Sequence, residues 1–117
     1  MTLKLTGANN SEQMDINRTV GRLGEKIAKD DYRKNGYHVF DTKAGMFFDF
    51  VSMKFNVSDC KLELIFVEVK VGNSQLSRRQ RWFRHWCKRS KQNFDVYRIS
   101  KEHLRYLLET ENIGDIV

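Results

Sequence analysis

Glu68 and Lys70 are two full charges in the second half of an otherwise apolar run, Leu62–Val71, which reads Leu-Glu-Leu-Ile-Phe-Val-Glu-Val-Lys-Val. The run is short and rich in β-branched residues, the pattern of a buried strand. Strand side chains alternate faces, so positions 68 and 70 share one face while Ile65, Val67, Val69 and Val71 take the other. A carboxylate and an ammonium at the end of a core strand are costly unless they pair or bind something. A structural ion pair meets that condition, and so does a site. Asp49 lies upstream, on the apolar segment Phe47–Phe55. Pairing the two segments as a hairpin about a polar turn, Asn56–Lys61, sets Phe55 against Leu62 and, counting outward, Asp49 against Glu68. Directly opposed residues share a face with Cβ atoms ~4.5–5.5 Å apart, so Asp49, Glu68 and Lys70 converge, provided the turn fixes that register. Two carboxylates this close raise each other's pKa unless a cation lies between them. Hard oxygen ligands suit Mg²⁺ or Mn²⁺. A lysine beside them would orient an attacking water or neutralise a developing oxyanion.

The second chemical signal is the segment Gln75–Lys91, which carries seven Lys or Arg, with no acid between Glu68 and Asp95. Leu76, Phe83 and Cys87 mark the buried face of a helix, and Gln80 interrupts it where another apolar residue is due. An inward-facing amide needs a partner, and the charged site is the nearest candidate. Arg78, Arg79, Arg81, Arg84, Lys88, Arg89 and Lys91 cover the remaining surface, with Trp82 and Trp86 stacked one turn apart. A solvated basic face over two core tryptophans is the bland alternative. Seven uncompensated cations exceed what solvation requires and favour binding to a phosphate backbone. Cations beside a two-carboxylate metal site point to phosphodiester chemistry.

The elements that must position these groups follow from periodicity. Ile16, Val20, Leu23 and Ile27 recur at the spacing of one buried helix face, with Asp15 offering an N-cap and Gly36 a stop, so a helix is expected over 15–35. Gly21 and Gly24 cost that helix roughly 1 kcal/mol each relative to Ala. Such glycines mark close packing, which would bring Glu25 near another element; taken locally, Glu25 reads as a solvated helix charge. Strands are expected over Tyr37–Thr42, Phe47–Phe55, Leu62–Val71 and Phe94–Ile99, with a turn at Lys43-Ala44-Gly45 and a sheet break at Gly72-Asn73-Ser74. Helices are expected from about Leu76 to Lys91, capped by Ser77, and after Ser100, with Leu104, Leu107 and Leu108 inward. The order α-β-β-β-α-β-α makes an α/β fold, a mixed four-stranded sheet flanked by helices. Residues 1–14 read as a loose lead-in.

Composition sets the bounds. The 117 residues suit one domain, and 40% hydrophobic content is globular rather than disordered. No apolar run approaches the ~18–20 residues of a membrane span, and the start lacks a secretory core, so an intracellular, cytoplasmic protein is expected. Cys60 and Cys87 are too few for a zinc site and are expected as free thiols. The net charge of +6 is moderate; its concentration in one segment is the informative part.

Taken in order, Glu25 on the first helix, Asp49, then Glu68-Val69-Lys70, then Gln80 on the following helix resemble the PD-(D/E)XK nuclease superfamily from about Asp15 to Ile99. Within it the small size looks most like the archaeal and viral Holliday-junction resolvases, and Gln75-Leu76-Ser77-x-x-Gln80 is similar to the Leu-Ser-x-x-Gln of the virus-type replication-repair nucleases. Phe48 stands where the superfamily's name has proline, and the Asp49–Glu68 gap is somewhat long. The resemblance implies a restriction-endonuclease-like core in which Asp49, Glu68 and the Val69 carbonyl hold Mg²⁺ or Mn²⁺. It implies that Lys70 positions the nucleophilic water, Glu25 binds metal through water or aids a second ion, and Gln80 orients Lys70 or phosphate. It also implies a homodimer cutting double-stranded or branched DNA, with Trp82, Trp86, Phe47 and Phe48 as a candidate apolar patch. The rivals are a repair or restriction-type nuclease acting on linear or flap DNA, a DNA-binding module of the same fold that no longer cuts, and a purely structural basic protein.

Overall fold

A computed structural model of the chain describes residues 10–43 and 47–110. Its elements are α1 (Asn10–Lys34), β1 (His38–Asp41), β2 (Phe50–Asn56), β3 (Lys61–Val71), α2 (Arg78–Arg89), β4 (Asn93–Ile99) and α3 (Lys101–Thr110). The strands form one sheet in the order β1-β2-β3-β4. The first three pair antiparallel, and β4 returns parallel to β3 after the α2 crossover. This is the expected mixed four-stranded α/β fold.

Apolar periodicity decides which layer each helix joins. Leu23 of α1 packs with Ile99, Leu104 and Leu108, and with Val69 and Val71 of β3, so α1 and α3 share one face of the sheet. Ala28 continues that layer over Phe50 and Val67. The opposite face is covered by α2, whose Phe83 and Cys87 pack with Phe48, Phe66 and Phe94. β3 is thus buried on both sides, which explains why it reads as an almost unbroken apolar run. The hairpin register is the one expected: Phe55 pairs with Leu62, and the ladder runs back to Phe50 opposite Val67. Gly36 stops α1 with φ +90°, and Gly72 leaves the sheet with φ +61°, both in the left-handed region that favours glycine.

Two boundaries differ from expectation by three residues or more. α1 begins at Asn10, so Asp15 lies inside the helix and is not its cap, and residues 10–14 belong to α1 rather than to a loose lead-in. No glycine or proline separates Asn10 from Asp15, so nothing in that stretch halts the helix. β2 begins at Phe50 rather than Phe47, and the expected Asp49–Glu68 pair is not part of the ladder, because the Asp49 carboxylate takes the Val69 N–H at 2.7 Å while its own N–H donates to the Val67 carbonyl at 2.8 Å. Residues 1–9 and most of the turn expected at Lys43-Ala44-Gly45 lie outside the described residues. The two helix glycines also part company. A Cβ on Gly24 would touch the Val69 and Ile99 methyls at 3.5 Å, so α1 does approach the sheet closely there, whereas Gly21 has nothing within 4 Å and marks no packing contact.

Candidate active site

Glu68 is the centre of the arrangement. It is only 5% exposed, yet it is an acid on a core strand. Burial raises its pKa first and the nearby Asp49 carboxylate raises it further, so that it is pushed up to about 7 from 4.5 against the opposing pull of Lys70 and Gln80. Asp49 stands beside it at the end of β2, where the bend places its carboxylate over the neighbouring strand. Its Oδ2 accepts the Val69 N–H at 2.7 Å. Thr42 holds the bend from behind, donating its hydroxyl to the Asp49 carbonyl at 2.8 Å. A strand residue turns its N–H and its carbonyl toward the same neighbour, so the Val69 carbonyl faces the side of β3 on which Asp49 lies.

Glu25 reaches Asp49 from α1, on the other side of the sheet. It is half-buried, and burial, followed by Asp49, raises its pKa, with Lys29 opposing. The packing of Gly24 explains how it gets there: with no side chain at 24, the helix settles onto Val69 and carries Glu25 inward. Glu25 is therefore not the freely solvated helix charge of the local reading. Three carboxyl groups consequently line up as Glu25, Asp49 and Glu68, with Asp49 raising the pKa of the acid on either side. Among the described residues no three His, Cys, Asp or Glu side chains converge tightly enough to cage a metal by themselves. Two carboxylates and a backbone carbonyl are, however, a donor set that suits Mg²⁺, which keeps several waters and takes one or two acids.

Gln80 fills the role that its inward position demanded. Its Nε2 donates to Glu68 Oε1 at 2.8 Å. Its Oε1 accepts the Ser77 N–H at 2.8 Å, while the Ser77 hydroxyl accepts the Gln80 N–H at 3.1 Å. This is a capping box, and it fixes which end of the amide faces Glu68.

Lys70 behaves differently. Its Nζ lies 3.7 Å from Glu68 Oε1, with only 15% of its side chain exposed. That separation is an ion pair but too long for a hydrogen bond, and among the described residues the ammonium has no other partner. A lysine kept solely to neutralise Glu68 would close that gap and place its three donors. Lys70 has donors to spare.

The cations of α2 are exposed, and among the described residues none is paired with a carboxylate. They do not form one uniform face. Arg78 and Arg79 open the helix beside Gln80, with Arg79 lying 4.9 Å over the Phe47 ring. Arg81 turns back to the Leu76 carbonyl at 3.1 Å. Arg84 and Lys88 line a cleft shared with Glu63 and Asp95 at the far end of the sheet, and Arg89 and Lys91 point to solvent. Trp82 and Trp86, 60% and 44% exposed, lie outside the core. They do not stack on each other: Trp82 leans on Phe47 and Trp86 on Phe83, because Phe83 occupies the inward position between them. Phe48 is buried beneath Phe83, so it is not available for a surface patch.

Sequence reasoning missed a polar network at the far end of the sheet. Tyr32 donates to Asp95, Tyr37 to Glu63 at 3.0 Å and Tyr97 to Asp31 at 2.6 Å. Burial and Asp31 push the Tyr97 hydroxyl up to about 12. These bonds tie α1 to β4, and the segment just after α1 to β3, across distant parts of the chain, and no local pattern announces them. Compared with family models, curated proteins and solved structures, the chain matches none. Among the described residues no helix is long and apolar enough to cross a membrane.

Proposed function

We propose that this protein is a DNA endonuclease that hydrolyses phosphodiester bonds with Mg²⁺ or Mn²⁺. The observation that carries the reading is the incomplete electrostatics around Glu68: a buried acid raised to about 7, Asp49 against it, and Lys70 3.7 Å away with unused donors. Such a group is balanced by a divalent cation and a phosphate, and by neither alone. A divalent ion held by Asp49, Glu68 and the Val69 carbonyl would neutralise the acids and the phosphate they face.

The remaining work falls to the chain itself. The Val69 N–H holds the Asp49 carboxylate in place, and Gln80 holds Oε1 of Glu68. Lys70 orients a water for in-line attack on phosphorus and stabilises the charge that builds on the phosphoryl oxygens. Glu25, set against Asp49, supplies further negative charge for a second ion or for its waters. Arg78, Arg79, Arg89 and Lys91 bind neighbouring phosphates. Branched DNA is the substrate that the resemblance to junction resolvases implies. A homodimer would bring two such sites together, and Phe40, Phe55 and Leu62, all more than half exposed on the α2 side of the sheet, give a second copy an apolar surface to cover. The test is cleavage of matched linear, flap and four-way-junction DNA with Mg²⁺, parent beside Asp49→Ala and Glu68→Ala. Loss of cutting with DNA binding retained is expected in both variants; full activity in either, or in chelator, overturns the assignment.

A further inference from the structure

Beside Lys70, on the α1–α3 face of the sheet and so across β3 from the Glu68 side chain, lies a cleft of about 470 Å³. That volume lies in the range of small-ligand sites. It has room for one nucleotide and none for a duplex. Its walls come from three elements with three chemistries. The floor is apolar: Val20, Val69 and Val71 pack there around the fully buried Leu104. The α3 rim is cationic. Lys101 and Arg105 stand one turn apart, both exposed, and among the described residues neither is ion-paired. The Lys101 stem lies close over Gly72, where an added Cβ would come within 3.2 Å of its Cε, so the left-handed turn leaving β3 gives Lys101 its place on the rim. The α1 rim carries amides. Gln13 Nε2 donates to Asn17 Oδ1 at 3.0 Å, and among the described residues the Gln13 side-chain oxygen and the Asn17 amide N–H groups bond to nothing else, so they can face a ligand. Gly21, with nothing within 4 Å of where its Cβ would be, keeps the mouth open.

An anion joined to a flat body with an apolar face and a hydrogen-bonding edge fits all three walls, and a nucleotide is that combination. A base in continuous duplex is paired and stacked and cannot enter; an unpaired one can. We infer that the cleft between α1 and α3 holds one unpaired nucleotide next to the phosphate presented to Lys70, its phosphate on Lys101 and Arg105 and its base over the valine floor. This rests on the nuclease reading and narrows its substrate to DNA with an unpaired nucleotide beside the cut, as in a fork or a flap.

The experiment fills the cleft. Gly21→Phe places a ring in the mouth at a position where glycine is the poorer helix former, and Gly21→Ala is the control. Binding to a forked oligonucleotide and to its fully paired counterpart is measured by anisotropy in chelator, so that no cutting intervenes. Gly21→Phe is expected to weaken fork binding at least tenfold and leave duplex binding unchanged, with Gly21→Ala like the parent. An abasic residue at the unpaired position should cost the parent the same factor and cost Gly21→Phe nothing more. The pair Lys101→Ala and Arg105→Ala, both on the exposed face of α3, tests the phosphate half and serves if Gly21→Phe does not fold. Equal losses on fork and duplex, no loss on either, or a parent that binds neither DNA overturns the inference. Cleavage with Mg²⁺ is scored separately. A protein that discriminates the fork but never cuts keeps the cleft and loses the nuclease; one that cuts, yet treats both DNAs alike in Gly21→Phe, does the reverse.

Discussion

Replacing Glu68 by glutamine should make the metal-free protein more stable above neutral pH, although it removes one partner of a buried ion pair. The folded protein holds a proton on Glu68 up to about pH 7, whereas the unfolded chain releases it near 4.5. Between those values the folded state binds more protons, so stability is lost as pH rises through the window. At ~1.4 kcal/mol per unit, ionising Glu68 in the fold costs about 3 kcal/mol by pH 8. Glutamine has nearly the same shape, still accepts from Gln80 Nε2, and no longer repels Asp49. Its one loss is the 3.7 Å contact to Lys70, which was not a hydrogen bond. Thermal melts in chelator should therefore place Glu68→Gln above the parent by roughly 10 °C at pH 8, with the difference closing toward pH 4.5. Adding Mg²⁺ should raise the parent and leave the variant nearly unmoved, since only a ligand of the folded state shifts a melt. A variant that melts below the parent at pH 8 in chelator would mean that Lys70 already satisfies Glu68, and that the pair is structural.

Lys70→Met should melt and bind DNA like the parent in Mg²⁺, while single-turnover cleavage falls by about a hundredfold or more, the scale for one stabiliser of developing charge; a normal rate per folded molecule would make Lys70 structural. Neutralising Arg78, Arg79, Arg89 and Lys91 should weaken DNA binding for every sequence and lower the log–log salt slope by roughly one unit per lost phosphate contact. An unchanged slope removes α2 from the interface. Gln80→Glu keeps the capping box but sets a third carboxylate against Glu68, so its melting deficit should grow from pH 5 to pH 8; a constant deficit would mean that the two side chains do not interact. Gly21→Ala should stabilise by about 0.5–1 kcal/mol, because the helix gains and nothing is displaced, as a denaturant titration will read.

The fold was legible where one residue decides one thing. The polar turn before Leu62–Val71 was enough for the hairpin register, and a slip by one would have put Asp49 on the face away from Glu68 and Lys70. Gln80 was legible as an inward amide through a break in an otherwise apolar stripe. The closeness of Glu25 to Asp49 could be glimpsed only through Gly24, whose missing Cβ lets α1 settle on β3. What escaped were choices made by long-range contacts. Asp49 bends out of the regular pairing because its carboxylate finds the Val69 N–H, and Arg84 and Lys88 come to line a cleft with Glu63 and Asp95 because β3 and β4 carry those acids to the far end of the sheet. The tyrosine–carboxylate bonds at the far end join residues whose spacing in the chain carries no period at all.

The amide of Gln80 has a consequence beyond holding Glu68. One of its ends closes the first turn of α2 and the other reads the charge of the buried acid, so helix and acid share a single gate. A protonated Glu68 offers a weaker acceptor at Oε1, which would loosen the anchor of the first turn of the basic helix to the sheet. An ionised Glu68 draws the amide in and seats that turn. By reciprocity, whatever seats α2 also lowers the affinity of Glu68 for its proton. A polyanion drawn to Arg78 and Arg79 would in this way help to ionise the acid beneath them, and the acid, once ionised, would steady the helix that grips the polyanion. Grip and charge state are then two readings of one equilibrium, joined by the Gln80 side chain.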